Sequence, residues 1–392
     1  MNKVRYGIVG IGKQGYGYAK KLYAGKDGNA VLAAVCDKEK DRRDKAAAEM
    51  PGVKIYDNYK DMLDKNVIDA VIIDTPHYLH PTIGIEALER GLHVLSDKPI
   101  GVYTKAVREL NECANRHQEL KFGVLYNQRT NSMYRKARDI VAGGELGELK
   151  RIVWIITNWY RPQAYYDQGG WRGTWGGEGG GVLINQDPHQ LDLFTWIAGR
   201  KIKRVWSTAR TVGRDINVEN DVSAFCEFEG GATGVFITST HESPGTNRLE
   251  ITGDGGQIVI TNSLLTKMVY KKNNTMEPSY SAASAEERKR GVVKDWTMQK
   301  IGAKTYKYSQ KLGEVIGGQH IKVIRNFSEV ILGKSDELIA RGQDGITGLS
   351  FSNAIHLSGW TGEVVEFPID EERYLSELNK RIEEEKTSGV KR

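Results

Sequence analysis

The stretch Tyr6-Gly7-Ile8-Val9-Gly10-Ile11-Gly12-Lys13-Gln14-Gly15 decides the fold of this chain. An apolar run is followed at once by three glycines spaced G-x-G-x-x-G, and a helical pattern comes next. In this fingerprint the first glycine permits a tight turn, the second lets the backbone approach a pyrophosphate, and the third lets the helix pack on the strand. We therefore predict that Gly10, Ile11, Gly12, Lys13, Gln14 and Gly15 bind a dinucleotide.

Asp37 strengthens this prediction because it follows the next apolar run, residues 31–36, about 20 residues beyond the third glycine. A carboxylate there accepts hydrogen bonds from the ribose hydroxyls and repels a 2′-phosphate, so NAD is favoured over NADP. Lys38 and Arg42 lie close by and weaken that preference, which leaves NADP as the second possibility. The alternative role for Asp37 is an ordinary helix N-cap.

Apolar runs and helical patterns alternate through the first third of the chain. Residues 70–73, 92–95 and 122–125 are predicted strands, and residues 38–50, 81–90 and 104–117 are predicted helices. This alternation predicts a doubly wound parallel sheet that binds ligands at the carboxyl ends of its strands. Predicted cofactor contacts at those ends are Thr75, Pro76, His77, Asp97 and Lys98.

After a helix over residues 133–142 the pattern changes to long strands rich in β-branched and aromatic residues. They are predicted at residues 150–159, 205–212, 222–228, 233–240 and 248–253. We expect a C-terminal α/β domain with an open, largely antiparallel sheet. The predicted domains are residues 1–125, a Rossmann domain, and residues 126–392, a domain for substrate binding and oligomerisation. Residues 277–302 are polar and are predicted to form a surface excursion.

Composition narrows the class of protein. The 392 residues suggest two domains. Lys and Arg exceed Asp and Glu by only 6, without a clustered basic block, which argues against a nucleic-acid partner. Three cysteines without a CxxC pair argue against disulfides and a metal site, and they favour a cytoplasmic protein. No window is apolar enough for a membrane span.

Two residues are predicted to carry chemistry. Lys98 lies in Asp97-Lys98-Pro99, at the end of a predicted strand, and His189 follows the glycines of residues 179–181 near a helix start. Oxidation of a secondary alcohol needs one group that accepts the hydroxyl proton and another that stabilises the developing alkoxide. His189 suits the first role and Lys98 the second. The alternatives are a hydrogen-bonded structural histidine and a plain surface lysine.

The chain resembles the Gfo/Idh/MocA oxidoreductases. The resemblance rests on the glycine fingerprint, Thr75-Pro76 with His80, GLHVLSDKP at residues 91–99, residues 144–149, and three glycines before His189-x-x-Asp192. It implies a Rossmann domain and an open-sheet α/β domain. It also implies NAD(P)-dependent oxidation or reduction of sugars and cyclitols, frequent oligomers through that sheet, and Lys98 and His189 as the catalytic lysine and histidine.

One position departs from the family pattern. Relatives often carry aspartate four residues before the histidine, where this chain has Asn185. An amide can orient a histidine but cannot stabilise its protonated form by charge. The sequence leaves open whether Asn185, Asp187 or Asp192 assists His189.

Rings and arginines are concentrated between the first long strand of the second domain and the three glycines. Aromatic faces bind the C–H faces of pyranose rings, although core packing is the alternative for any single ring. The predicted substrate contacts are Trp159, Tyr160, Arg161, Tyr166, Trp171, Arg172 and Trp175. Asn127 and Arg129 follow the last Rossmann strand and are predicted to face cofactor and substrate, with loop capping as the alternative. His356 and Trp360 are assigned to packing.

These features together predict an NAD-dependent dehydrogenase that acts on a secondary ring hydroxyl or ketone of a sugar, glycoside or cyclitol. One alternative is an enzyme that retains NAD and uses transient oxidation to cleave a glycoside or to shuttle hydride between sugars. Another is a non-catalytic regulator that binds NAD and a sugar. A homo-oligomer, dimer or tetramer, through the C-terminal sheet is expected.

Overall fold

The computed structural model describes residues 2–262, 265–273, 304–316 and 318–387. The predicted surface excursion over residues 277–302 lies outside these ranges. Within them the chain forms a parallel sheet of six strands followed by a mixed sheet of nine strands.

The first sheet is a doubly wound parallel sheet, as predicted. Its strand order is β3-β2-β1-β4-β5-β6, with every adjacent pair parallel. From β1 the chain builds β2 and β3 on one side and then β4, β5 and β6 on the other. The order therefore reverses between β1 and β4, and a crevice opens at the carboxyl ends of these two strands. The strands are β1 Val4–Val9, β2 Ala30–Cys36, β3 Lys54–Tyr56, β4 Ala70–Ile73, β5 His93–Ser96 and β6 Phe122–Val124.

Helices cover both faces of this sheet. Because both faces are buried, the strands are almost continuously apolar; all four residues of β4 are buried. The helices are α1 Lys13–Tyr23, α2 Lys40–Glu49, α3 Tyr59–Asp64, α4 Leu79–Glu89 and α5 Thr104–Arg116.

The second sheet has the strand order β14-β13-β12-β11-β7-β10-β9-β8-β15. Only β7 and β10 pair in parallel, so the prediction of a largely antiparallel sheet is confirmed. Its strands are β7 Leu149–Ile156, β8 Ile202–Arg210, β9 Asp221–Phe228, β10 Thr233–Ser239, β11 Asn247–Gly253, β12 Gly256–Asn262, β13 Thr266–Lys272, β14 Lys304–Ser309 and β15 Val365–Glu366.

Burial alternates along the strands of this sheet, for example along β9, because helices cover only one face. Side chains of the helices Ser132–Ala142, Pro188–Ala198 and Gly345–Thr361 supply that cover, including Met133, Leu191 and Phe351. The helices that follow α5 are α6 Ser132–Ala142, α7 Gln163–Tyr166, α8 Val182–Asn185, α9 Pro188–Ala198, α10 Leu312–Ile316, α11 Gln319–Ile331, α12 Gly345–Thr361 and α13 Glu371–Thr387.

Helix α11 returns from the C-terminal part of the chain to the first sheet. Its residues Ile321, Ile324 and Phe327 belong to the same buried cluster as Tyr6 and Ile8 of β1. The predicted division at residue 125 stays a prediction, and α11 covers the N-terminal sheet from beyond it. This return brings the start of α11 to the edge of the ligand crevice.

Candidate active site

The glycine turn has the geometry that a dinucleotide requires. Gly10 has φ +88°, and a Cβ on it would lie 2.3 Å from the carbonyl oxygen of Asp74. A Cβ on Gly15 would lie 2.0 Å from the Gly10 carbonyl oxygen, so the first and third glycines are needed for packing. A Cβ on Gly12 would meet only the Arg42 guanidinium, at 3.9 Å. The space before the N-terminus of α1 is therefore open, where a pyrophosphate fits.

Asp37 lies at the end of β2 and joins the turn to the next helix. Its Oδ2 accepts the Ile11 N–H at 2.9 Å, and its Oδ1 accepts the Glu39 N–H at 2.9 Å. The N-cap of α2 is Glu39, so Asp37 does not have the capping role that was its alternative. Arg42 Nη1 lies 3.2 Å from the Asp37 carboxylate and partly offsets the negative charge that disfavours a 2′-phosphate.

Asp74 is a residue that sequence reasoning missed. It follows β4 as Asp37 follows β2, and its carboxylate accepts the Gly15 N–H of the glycine turn. Burial, and then the charge of Asp97, raise the pKa of Asp74 well above its usual range. Asp97 Oδ2 accepts the Tyr18 hydroxyl at 2.8 Å, and Asp97 Oδ1 accepts the Lys98 N–H at 2.7 Å. Asp97 thus supports the loop that carries Lys98.

Lys98 reaches from the first sheet to the second half of the chain. Its ammonium donates a 2.9 Å hydrogen bond to the carbonyl oxygen of Asn185, at the end of α8. Burial lowers the pKa of Lys98, and the carboxylates of Asp97, Asp74 and Glu178 oppose that change. Lys98 thus contacts the segment that leads into His189, while the predicted meeting of the Lys98 and His189 side chains stays a prediction.

His189 lies in the first turn of α9, one residue after Pro188. Its ring is edge-on to Tyr126, with centroids 6.0 Å apart, and its Nδ1 has no hydrogen-bond partner among the described residues. Burial, followed by the charges of Lys98 and His320, holds the pKa of His189 well below its usual range. The imidazole is neutral near pH 7 and can accept a proton. Lys98 also contacts the carbonyl oxygen of Asn185, four residues before His189.

A buried carboxylate holds the three glycines before His189. Glu219 accepts the N–H groups of Gly181 at 3.0 Å and Leu183 at 3.1 Å. A Cβ on Gly181 would lie 1.8 Å from the Glu219 carbonyl oxygen. His356 Nε2 is 3.1 Å from Glu219 Oε2, and the His356 ring stacks on Trp360 at 5.2 Å. The assignment of His356 and Trp360 to packing matches these contacts.

The aromatic residues among the predicted substrate contacts divide into two groups. Trp175 is buried, donates from Nε1 to the Asn217 carbonyl at 2.9 Å and packs on Trp360. Tyr166 is also buried, 2.8 Å from the Thr240 hydroxyl. These two rings lie in the core.

The second group forms alternating rings and guanidiniums that lead into the cleft. The guanidinium of Arg161 lies over the rings of Trp159 and Tyr165, at 5.7 and 5.0 Å. The guanidinium of Arg172 lies over Tyr165 and Trp171, at 4.8 and 4.6 Å. Trp171 meets His77 edge-on at 5.7 Å, whereas Tyr160 is exposed beside Arg214.

Arg129 does not present a free guanidinium to the cleft. It is buried, and it donates two hydrogen bonds to Asp192, at 2.6 and 2.9 Å, and one to Asp344 at 2.8 Å. Since Asp192 is held by Arg129, it is a poor candidate to assist His189. Arg129 therefore forms a buried ion pair with α9 through Asp192, and its predicted contact with substrate stays a prediction.

Several unpartnered polar atoms lie at the predicted cofactor contacts. Among the described residues, neither Thr75 Oγ1 nor Asn127 Oδ1 has a hydrogen-bond partner, although both are buried. His77 is buried against the Glu178 carbonyl at 3.0 Å, and burial lowers its pKa to about 3. Lys13, Gln14 and Pro76 are exposed around the opening. Unsatisfied buried atoms of this kind fit the amide and hydroxyl groups of a bound dinucleotide.

Four further residues of the cleft had no signal in the sequence motifs. Glu178 contacts Asn185, and Glu219 holds the glycine loop. Gln319 Oε1 lies 3.4 Å from Asn127 Nδ2, and the His320 ring lies 5.6 Å from that of Tyr18. Gln319 and His320 start α11, so their place depends on its return to the first sheet.

The fold and the cleft define a two-domain protein with a dinucleotide site. Residues 4–126 match the family described as "Oxidoreductase family, NAD-binding Rossmann fold", and residues 134–259 match the "GFO/IDH/MocA C-terminal domain". The chain belongs to the Gfo/Idh/MocA oxidoreductases, and its N-terminal domain is an NAD-binding Rossmann domain.

Relatives include the rhizopine catabolism protein MocA of Rhizobium meliloti, 26% identical over 249 residues, or 62% of this chain and 74% of that protein. The scyllo-inositol 2-dehydrogenase (NAD(+)) of Bacillus subtilis is 28% identical over 66% of this chain and 74% of that protein. The alignment with an inositol 2-dehydrogenase of Leifsonia xyli covers only 56% of the relative.

The structure of the WlbA dehydrogenase from Bordetella pertussis, in complex with NADH and UDP-GlcNAcA, has the same fold. The TM-score is 0.75 at 23% identity, over 94% of this chain and 100% of that one. In the described part of this chain, no helix combines the length and apolar character needed to cross a membrane. Within that part, no cluster of three or more His, Cys, Asp or Glu side chains is arranged to hold a metal ion.

Proposed function

We propose that this chain is an NAD-dependent dehydrogenase that transfers hydride between the nicotinamide and a secondary ring hydroxyl or ketone of a sugar, glycoside or cyclitol. The observation that carries the proposal is the hydrogen bond from Lys98 to Asn185, which places an ammonium from the Rossmann domain at the loop that leads into His189. The names of the relatives, inositol 2-dehydrogenases and a rhizopine catabolism protein, support a polyhydroxylated ring as substrate.

Bound NAD supplies the acceptor or donor of hydride. Gly12 leaves room for its pyrophosphate, Asp37 would accept hydrogen bonds from the ribose, and Thr75 and Asn127 offer unpartnered polar atoms. In the oxidative direction His189, held neutral by burial, accepts the hydroxyl proton, and the Lys98 ammonium stabilises the negative charge that develops on the oxygen. In the reductive direction the same groups return the proton.

The second group of rings supports a carbohydrate substrate. Trp171 and Arg172 lie beside His77 and Glu178 at the edge of the cleft. A ring face and a guanidinium next to each other bind the apolar face and the hydroxyls of one sugar. Cytoplasmic location, predicted from the cysteines, stays a prediction.

We also propose a homo-oligomer through the uncovered face of the nine-stranded sheet. Trp206 of β8 and Phe225 of β9 are opposite each other in the strand register, and they are 49% and 42% exposed. A pair of large exposed rings on a sheet face is typical of an interface between subunits.

The proposed function is tested by NADH formation with wild-type protein across pyranoses, their glycosides and inositols, followed by Lys98→Met with the substrate that reacts. Lys98→Met removes the ammonium and keeps the length of the side chain. We expect kcat to fall by about 100- to 1,000-fold, while NAD binding, measured by fluorescence titration, stays within a few-fold.

Lys65→Met, at an exposed lysine after α3, is the matched control and should keep full turnover. Unchanged turnover in Lys98→Met would remove the assigned role of Lys98. Sugar release without net NADH would instead favour the enzyme that retains its cofactor.

A further inference from the structure

Glu178 is a buried acid between the two halves of the cleft. It is 1% exposed and directly precedes the three glycines. Its Oε2 accepts the Gly173 N–H at 2.8 Å, its Oε1 accepts a hydrogen bond from the Asn185 carboxamide, and Arg172 Nη1 lies 3.5 Å from Oε1. Its carbonyl oxygen lies 3.0 Å from His77 Nδ1. Glu178 therefore contacts three predicted site residues.

Asn185 links Glu178 to Lys98. The Asn185 side chain donates to the Glu178 carboxylate, while the Asn185 carbonyl oxygen accepts from the Lys98 ammonium at 2.9 Å. Because the Asn185 side chain is held by Glu178, the orientation of the Asn185 backbone is restricted. The Asn185 carbonyl oxygen therefore sets the position of the Lys98 ammonium. Asn185 itself carries no charge, and Glu178, with Asp97 and Asp74, is one of the carboxylates that raise the pKa of Lys98.

We propose that Glu178 is a positioning residue for the dehydrogenase reaction: its carboxylate fixes Asn185, and Asn185 fixes the Lys98 ammonium at the reacting oxygen. The inference rests on the proposed function and adds a residue to it. Glu178 acts through Asn185, and its state of protonation controls how firmly Lys98 is held.

The Glu178 carboxyl changes its protonation state within the pH range in which the enzyme is assayed. Burial raises the pKa of its carboxyl to about 7, and the Glu219 charge adds to that rise. The Gly173 N–H, the Asn185 amide and the Arg172 guanidinium oppose it. The Glu178 charge in turn raises the pKa of Lys98. Above pH 7 the carboxylate accepts both hydrogen bonds; below pH 7 a proton occupies one oxygen and the contact weakens, so kcat rises with pH through about 7.

Asp187 is the competing source of such a pH dependence. Burial raises the pKa of Asp187 to about 7 as well, and a hydrogen bond with Thr238 and the charge of Lys98 oppose that rise. His77 does not compete, because its pKa is lowered to about 3. A test must therefore separate Glu178 from Asp187.

The test is the pH profile of kcat at saturating NAD for wild type, Glu178→Gln, Glu178→Asp and Asp187→Asn. Glu178→Gln should lose about tenfold in kcat at pH 8 and lose the inflection near 7, with KM for NAD changed less than twofold. Glu178→Asp restores the charge and should restore the inflection. Retention of the inflection in Glu178→Gln, or its loss in Asp187→Asn alone, would overturn the proposal.

Glu219→Gln is the matched control for loop stability. Glu219 is also a buried carboxylate that accepts N–H groups of the glycine loop, but its contacts are with Gly181, Leu183 and His356. This variant should lower Tm and keep an inflection, which moves to lower pH because the Glu219 charge no longer raises the pKa of Glu178. If Glu178→Gln only lowered Tm in the same way, Glu178 would be purely structural.

A second readout needs no substrate. The Glu178 charge raises the pKa of Lys98, so Glu178→Gln should lower that pKa. The titration is followed by ¹⁵N NMR of the lysine side chains, with the Lys98 signal assigned by its absence from Lys98→Met. An unchanged Lys98 titration would contradict the proposal even if turnover fell. Absence of turnover in wild type on every substrate would count against the proposed function, while the titration would still decide the link between Glu178 and Lys98.

Discussion

At the scale of single residues, burial determines which groups carry charge in the cleft. His189 is kept neutral, and the pKa values of Asp74 and Glu178 are raised by burial. The backbone N–H groups of Ile11 and Glu39 and the Arg42 guanidinium all contact the Asp37 carboxylate. These contacts fix the orientation of the carboxylate that we propose to accept the ribose hydroxyls.

Replacement of Asp37 by alanine should weaken NAD binding by about 10- to 100-fold, the cost of losing hydrogen bonds to a charged group. NADP binding should weaken much less, because the repulsion between the Asp37 carboxylate and the 2′-phosphate disappears and Arg42 remains nearby. Fluorescence titrations with both cofactors measure the change. The matched control is Arg42→Ala, which should increase the preference for NAD. Equal ratios of the two affinities in wild type and Asp37→Ala would show that Asp37 does not set cofactor choice.

The sequence was informative about residues that act at the end of a strand or inside a motif. Asp37 and Lys98 follow strands β2 and β5, and the glycine turn lies between β1 and α1. Glu178 was missed because it belongs to no motif, although Gly173 and Asn185, the partners of its carboxylate, lie only five and seven residues away. His320 was missed because Tyr18, its neighbour in space, is far away along the chain. The partners of Arg129 were missed for the same reason, since Asp344 lies 215 residues away. Motif spacing contains no information about such contacts.

At the scale of elements, apolar runs located the strands that are buried on both faces. Strand β3 and helix α3 were missed because β3 has three residues, none of them fully buried, and α3 has six. Strands β12 and β13 were missed although polar and apolar residues alternate along them, and β14 was missed because none of its six residues is fully buried. The glycine loop at residues 179–181 was recognised as a close approach of backbone, but its partner Glu219 was not.

Gly181→Ala tests that close approach. A Cβ at this position would lie 1.8 Å from the Glu219 carbonyl oxygen, so the loop must shift and lose its contacts with the Glu219 carboxylate. We expect a loss of about 2–4 kcal/mol in the free energy of unfolding and a lower Tm. The matched control is Gly17→Ala in α1, where a Cβ meets nothing within 4 Å. Alanine at position 17 should leave the free energy of unfolding unchanged or raise it by up to about 1 kcal/mol. Equal stability of the two variants in urea unfolding would contradict the packing argument.

At the scale of the whole molecule, two long-range arrangements make the cleft. Helix α11 returns to the first sheet and brings Gln319 to Asn127, while the α8 to α9 segment brings Asn185 to Lys98. The sequence indicated the second arrangement through two motifs and gave no sign of the first. The other large feature is the uncovered face of the second sheet. The prediction of an open sheet included such a face, but the strand register was needed to show that two exposed rings lie opposite each other on it.

Trp206→Glu tests whether that face joins two copies of the chain. Trp206 and Phe225 are a cross-strand pair, so in a two-fold interface each copy places both rings against the same face of its partner. A glutamate there would be buried without a partner charge, and we expect the dimer to dissociate at concentrations about 100-fold higher than for wild type. Analytical ultracentrifugation measures the change. Val31→Glu introduces the same charge at an apolar position of the first sheet that is 41% exposed, and it should leave the association unchanged. A wild-type protein that sediments as a monomer, or equal dissociation of both variants, would show that the rings are not the interface.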